Sequence, residues 1–160
     1  MRARKVLTWE ELDHVVRAAK IQECRVVFTN GCFDLLHIGH VRYLQQARAL
    51  GDFLVVGLND DDSVRRLKGK NRPLIPATER AEMLAALECV DAVALFPQDR
   101  PDDLMRLVRP HFHVKGGDYR AEELPEAPVA REIGAEIRII PFVAGRSTTE
   151  IVLRILERYR

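Results

Sequence analysis

Short apolar runs alternate with amphipathic segments along the whole chain, and this alternation constrains the fold more than any other property of the sequence. Runs over 25–29 (RVVFT), 53–58 (FLVVGL), 91–96 (DAVALF), 112–115 (FHVK) and 135–141 (AEIRIIP) have the length and composition of strands. Helical patterns lie between and around them. Thr8 is a candidate N-cap for a helix with Trp9, Leu12, Val15 and Val16 at helical spacing. A second helix over 40–51 places Val41, Leu44, Ala47 and Leu50 on one face and ends on Gly51 as a left-handed cap. Further helices span 78–90, opened by Thr78, 100–110, with Pro101 near its first turn, a short 129–134, and a closing segment after Ser147. Residues 59–63 read as an acidic turn, 68–76 as a basic loop broken by prolines, and 116–128 as a long loop. The pattern predicts an α/β fold, a Rossmann-like doubly wound five-stranded parallel sheet with right-handed crossovers and helices on both faces. With no repeat, low-complexity tract or linker, the expectation is one domain over 1–160, with 1–24 as a helical segment packed on it.

The formal net charge of +1, with 47% hydrophobic and 31% charged residues among 160, allows a real core but gives no overall field toward nucleic acid or acidic membranes. Neither is expected as a partner. No apolar run reaches the ~20 residues that span a bilayer, and the opening MRARKVLTWEELDHVV turns acidic before a long apolar stretch forms. A cytoplasmic protein is therefore expected. Cys24, Cys32 and Cys89 form no CxxC pair, which argues against a disulfide scaffold or a zinc thiolate site; Cys24 and Cys89 read as buried small hydrophobes.

In open parallel sheets, ligands sit beyond the carboxyl ends of the strands, and the unusual residues fall there. NGCFDLLHIGH (30–40) follows the first run, Asn59 to Asp61 the second, KGGD the fourth and GRSTTE the fifth. Gly31 and Gly39 permit close approach of the main chain to a ligand, and N–H groups at the next helix start make an anion site beside His37 and His40. Two histidines fall short of the ligands that zinc requires; His111 and His113 alternate along one run without matching spacing elsewhere, so no protein metal site is expected. GxxxxGK[ST] and GxGxxG are absent. Ser147, Thr148 and Thr149 can offer hydroxyls and N–H groups to an anion, or form an ordinary N-cap with Glu150. Lys68 and Lys115 stand out in a chain that uses arginine for most cations, and suit phosphate as compact charges. Lys115 runs into Gly116-Gly117-Asp118, which can pass close to a base or sugar, or simply turn. Asp34, Asp61 and Asp118 can take magnesium or sugar hydroxyls or serve as turn residues; Asp60 and Asp62 are expected in solvent. Arg80 can reach an anionic substrate or form a surface ion pair.

NGCFDLLHIGH, GLNDDDS, RLKGKNRP, KGGDY and GRSTTEI together resemble the motifs of the cytidylyltransferase-like nucleotidyltransferases, from about residue 26 to the end. Within that family they are most similar to the branch that adenylylates D-glycero-β-D-manno-heptose 1-phosphate in ADP-heptose synthesis. The family's HxGH motif falls on His37, Ile38, Gly39 and His40, its phosphate-binding Ser/Thr motif on Ser147, Thr148 and Thr149, and its flexible-loop lysine on Lys68. The resemblance implies transfer of AMP from ATP to a sugar 1-phosphate with release of pyrophosphate, and His37, His40 and Lys68 as catalytic residues. Nucleotide contacts are expected at Thr29, Asn30, Gly31, Phe33, Gly39, Lys115, Gly116, Asp118 and the Ser/Thr motif, and acceptor contacts at Asp34, Asn59, Asp61 and Arg80. Base choice would rest on the backbone around 115–118 and 141–145, and Mg2+ would be bound mainly through the nucleotide phosphates. In that branch the domain is often fused behind a sugar kinase; the chain resembles the stand-alone form, with a separate upstream sugar kinase and, by analogy with relatives, a homodimer. Class I aminoacyl-tRNA synthetases share the HIGH spelling but are much longer and carry a KMSKS-type loop, absent here. Two other readings stay open. One is a cytidylyltransferase using CTP with glycerol 3-phosphate or phosphoethanolamine; the other is a non-catalytic nucleotide-binding module, against which His37, His40 and Lys68 speak.

Overall fold

The computed structural model describes residues 4–141 and 147–159. Strands β1 (Val26–Gly31), β2 (Phe53–Asn59), β3 (Ala92–Phe96), β4 (Phe112–Gly116) and β5 (Glu136–Ile140) form one parallel sheet in the order β3-β2-β1-β4-β5. The chain builds outward from β1 through β2 to β3, then crosses to the other side of β1 for β4 and β5. The order therefore reverses between β1 and β4, and a crevice opens above their carboxyl ends. The helices among the described residues are α1 (Trp9–Ile21), α2 (Ile38–Arg48), α3 (Asp61–Lys68), α4 (Ala77–Ala86), α5 (Asp102–Val108), α6 (Ala127–Ile133) and α7 (Thr148–Arg158). None is long and apolar enough to cross a membrane.

The two-residue period of the strands sends alternate side chains into two cores. Val26, Phe28, Val55, Ala92, Ala94 and Phe96 pack with Leu12 and Val16 of α1, Leu104, Met105 and Val108 of α5, and Val129 and Ala130 of α6. Val27, Leu54, Val56, Leu58, Val93 and Val114 pack with Leu44 and Ala47 of α2 and Ala81 and Leu84 of α4 on the opposite face. Helices thus cover both faces, as the alternation predicts. Thr8 caps α1 through a full capping box with Glu11.

Some local expectations are corrected. α2 ends at Arg48 and Gly51 is not left-handed. A Cβ at Gly51 would sit 2.5 Å from the Arg25 carbonyl oxygen, so glycine is required by close backbone approach. α4 starts at Ala77 after Pro76, which leaves Thr78 inside the first turn. The acidic turn is the start of a helix: Asp60 accepts from the Ser63 N–H at 2.8 Å and caps α3. That helix is hard to read because its two buried residues are Ser63 and Val64 and the rest is charged or exposed. The long loop holds a 3-10 turn at Ala121–Glu123, and α6 begins before Val129. All three cysteines are half-buried and free, including Cys24 and Cys89.

Candidate active site

Gly31 closes β1, and a Cβ there would come within 3.1 Å of the Phe33 ring. The chain then turns through Phe33 (φ 46°) and Leu35 (φ 52°), two non-glycine residues in the left-handed region. This turn delivers His37 to the N-cap of α2, where its Nδ1 accepts the Gly39 N–H at 3.1 Å. His40 follows one turn later; its Nδ1 lies 3.4 Å from the His37 N–H, and the two imidazoles stack with centroids 3.8 Å apart. Acceptance at Nδ1 places the proton of each neutral ring on Nε2. Burial, and then the neighbouring His37, push the His40 imidazole down to about 4, so in the ligand-free protein it is neutral. Phe33 packs against the His40 ring at 5.3 Å. The result is a rigid pair of imidazole donors at a helix N-terminus, which is anion-binding chemistry.

Asp34 ties three segments together beneath that pair. Its carboxylate accepts the Leu74 and Ile75 N–H groups at 2.8 and 3.0 Å, and Arg72 Nε lies 2.7 Å away as an ion pair, out of line for a hydrogen bond. Its carbonyl accepts from the Thr148 hydroxyl at 2.7 Å, which locks the start of α7 to the β1–α2 loop. Ser147 caps α7 through the Glu150 N–H. Arg80 is wholly buried: it donates to the carbonyls of Ile75, Cys32 and Asn59 and to Asp61 Oδ1, at 2.6 to 3.0 Å. The structure thus places Arg80 as a strut between the loops after β1 and β2.

On the other side of β1, Tyr43 of α2 donates to the Val114 carbonyl at 3.0 Å and lies 2.6 Å from the Thr29 hydroxyl, pinning the helix across β1 and β4. His113 is fully buried and its Nε2 sits 3.2 Å from Asn30 Oδ1; burial, then the Lys115 charge, push this imidazole down to about 4. Lys115, at the end of β4, pairs with Glu126 at 3.0 Å.

Most of these groups line one cavity of ≈ 1030 Å³, and the rest stand behind its wall. Of the residues singled out from sequence, Asn30, Gly31, Phe33, Asp34, His37, Gly39, His40, Asn59, Lys68, Lys115, Gly116, Ser147, Thr148 and Thr149 line it. Thr29, Asp61, Arg80 and Asp118 lie outside the lining; Thr29 and Arg80 are buried supports, and Asp118 is exposed. Lys68 ends α3, with Gly69 (φ 100°) turning the chain after it. The segment 142–146, which holds most of the second stretch expected to set base choice (141–145) and the opening of GRSTTEI, lies outside the described residues. Tyr43, one turn after His40 on the same helix, also lines the cavity though it belongs to none of the motifs. So does Glu126, for which no local signal exists because its partner is eleven residues away on another element.

A family described as cytidylyltransferase-like matches residues 28–154. The chain belongs to the cytidylyltransferase-like family. It is a nucleotidyltransferase by that membership, and the shared segment contains each motif that surrounds the cavity. The bifunctional protein HldE of Pelobacter propionicus is 51% identical over 155 residues, 97% of this chain and 32% of that protein. HldE of Geobacter sulfurreducens is 52% identical over the same shares. The chain thus spans about a third of the length of these relatives. A crystal structure of a lipopolysaccharide core biosynthesis protein from Thermoplasma volcanium is 29% identical, with a TM-score of 0.61 over 75% of this chain and 97% of that one. A pantoate–β-alanine ligase from Francisella tularensis shares the fold alone, at a TM-score of 0.60 and 14% identity over 95% of this chain and 77% of that one.

Proposed function

We propose that this cytidylyltransferase-like chain transfers AMP from ATP to a sugar 1-phosphate, D-glycero-β-D-manno-heptose 1-phosphate, giving ADP-heptose and pyrophosphate. The observation that carries the reading is the meeting of two helix N-termini at one cavity: α2 with its stacked His37 and His40, and α7 tied to the same loop through Thr148 and Asp34. Two such termini suit a polyphosphate better than a single anion. The heptose assignment is supported by the likeness of NGCFD, RLKGKNRP and KGGDY to the heptose branch, and by the HldE and lipopolysaccharide core biosynthesis relatives.

In the proposed reaction an oxygen of the sugar phosphate attacks the α-phosphorus in line. A new P–O bond forms, the bond from the α-phosphorus to the bridging oxygen breaks, and pyrophosphate leaves with that oxygen. The nucleophile is already an anion and needs no base, so the protein's task is positioning and charge stabilisation. The Nε2–H groups of His37 and His40 donate to phosphate oxygens, the first turn of α7 holds further oxygens through N–H groups, and Lys68 approaches the reacting phosphate from the end of α3. Magnesium supplies charge neutralisation when bound. The Asp34 carboxylate is taken up by Arg72 and two backbone N–H groups, and that of Glu126 by Lys115. The ion's ligands would accordingly come mainly from the triphosphate.

A cytoplasmic location and an upstream sugar kinase, acting as a separate protein or a fused domain, belong to the same reading. The test is pyrophosphate release from ATP or CTP with heptose 1-phosphate, glycerol 3-phosphate and phosphoethanolamine. Turnover with ATP and heptose 1-phosphate is expected; turnover only with CTP, or with no pair, overturns the proposal.

A further inference from the structure

Resting on the reading of this cavity as a nucleotidyl-transfer site, we propose that Glu126 reads the ribose of the nucleoside triphosphate by accepting a hydrogen bond from a ribose hydroxyl at Oε2. The Glu126 side chain is 6% exposed, and its Oε1 is held 3.0 Å from Lys115 Nζ. Its Oε2 is buried, accepts no hydrogen bond among the described residues, and belongs to a residue that lines the cavity. Burial opposes ionisation of this carboxyl, but the charge and hydrogen bond of Lys115, helped by the nearby Glu126 backbone N–H, prevail and hold it below the usual carboxylate range. Both oxygens are therefore acceptors, and one lacks a partner. A buried acceptor left without a donor is costly, so the position is completed by a ligand group that brings an O–H or N–H. Phosphate oxygen, itself an anionic acceptor, is excluded there.

The two wings of the cavity indicate which part of the ligand that is. Over β2 and β3 the wall is Asn59, Lys68, Arg72 and Asp99, polar and charged, which suits a phosphorylated acceptor. Over β4 and β5, Tyr119, Leu124, Pro125 and Pro141 give the wall an apolar stretch, beside Glu123, suited to the face of a base. Lys115 and Glu126 belong to this second wing, and β4 adjoins β1, whose loop carries the histidines. A nucleotide with its phosphates at the histidines and its base on the apolar wing brings its sugar past Glu126. A carboxylate facing the ribose diol is a recurrent solution to nucleotide recognition.

The test is calorimetric. ATP and CTP are each titrated into the protein, and the tighter of the two is compared with its own 2′-deoxy and 3′-deoxy forms. At least one deoxy form is expected to bind about 10- to 100-fold more weakly, the loss of a hydrogen bond to a charged group. In Glu126→Met, which keeps the side-chain length and removes the acceptor, the ribonucleotide weakens to the level of that deoxy form and discrimination falls to about threefold or less. A purely structural Glu126 would lower the melting temperature of the variant and leave the ratio between ribo and deoxy forms unchanged, which overturns the proposal. Equal binding of all three forms by the wild-type protein also overturns it, whether or not the variant folds, and leaves the transferase reading standing. Failure to bind either triphosphate overturns both.

Discussion

Arg80 separates a substrate contact from an internal strut, and replacing it by methionine decides between them. The change keeps an unbranched apolar stem and removes the guanidinium. It strips donors from the carbonyls of Ile75, Cys32 and Asn59 and a cation from Asp61. Each buried acceptor left unsatisfied costs about 1–3 kcal/mol, and breaking a buried ion pair costs about 3–5 kcal/mol. These contributions overlap, and Asp61, with its side chain 33% exposed, is rehydrated, so a total of about 3–5 kcal/mol is expected. At roughly 2–4 °C per kcal/mol for a chain of this size, the melting temperature should fall by about 6–20 °C. The assay is thermal unfolding by circular dichroism, with KM for ATP and for the sugar 1-phosphate measured well below the transition. A substrate-binding arginine would give the reverse pattern: a melting temperature near wild type and a raised KM for the acceptor alone. A variant melting within about 2 °C of wild type refutes the strut.

Lys68→Ala should lower turnover about 10²- to 10³-fold while calorimetry shows ATP affinity largely kept, because the lysine is exposed at the end of α3 and makes no ion pair among the described residues; an unchanged rate removes it from the chemistry. The ligand-free protein should lose stability in acid: His40 and His113 titrate near 4 when folded against about 6.5 unfolded. The unfolded chain binds more protons across that window, so their contribution is complete above pH 6.5 and is lost as pH falls through 4. His40→Asn should flatten the fall in melting temperature between those pH values; a fall as steep as wild type refutes the buried neutral imidazole.

The sheet and the helices on its two faces were legible because strand and helix signals are local: Val26, Val27 and Phe28 are a continuous apolar run, the mark of a strand buried on both faces. α3 was not, since it spans only eight residues, buries only Ser63 and Val64, and is otherwise charged or exposed, so no apolar stripe marks it. A glycine after a helix usually caps it, whereas Gly51 is required by the Arg25 carbonyl, 26 positions earlier in the chain. The residues lining the cavity were mostly visible as motifs after strands. The supports were not. Asp34 looks like a ligand for metal or sugar until the N–H groups of Leu74 and Ile75 are seen to occupy it, and nothing in LPEAP signals that Glu126 meets Lys115.

That distribution of support has a chemical consequence. Lys115, Arg72 and Arg80 are each matched by a carboxylate before any ligand arrives, and His40 is held neutral. In the proposed reaction, the described part of the cavity thus meets a triphosphate with oriented dipoles, the two helix N-termini and imidazole N–H groups, more than with loose positive charge. Fixed dipoles need no reorganisation as charge moves from the α-phosphorus to the leaving pyrophosphate, and that is the condition under which electrostatic stabilisation favours the transition state over the bound substrate. Lys68 differs from the other cavity cations in being exposed at a helix end beside a glycine turn. In the proposed reaction, an exposed cation that approaches the reacting phosphate, set against side chains already paired before the ligand arrives, divides the work between rate and binding in the way that Lys68→Ala measures.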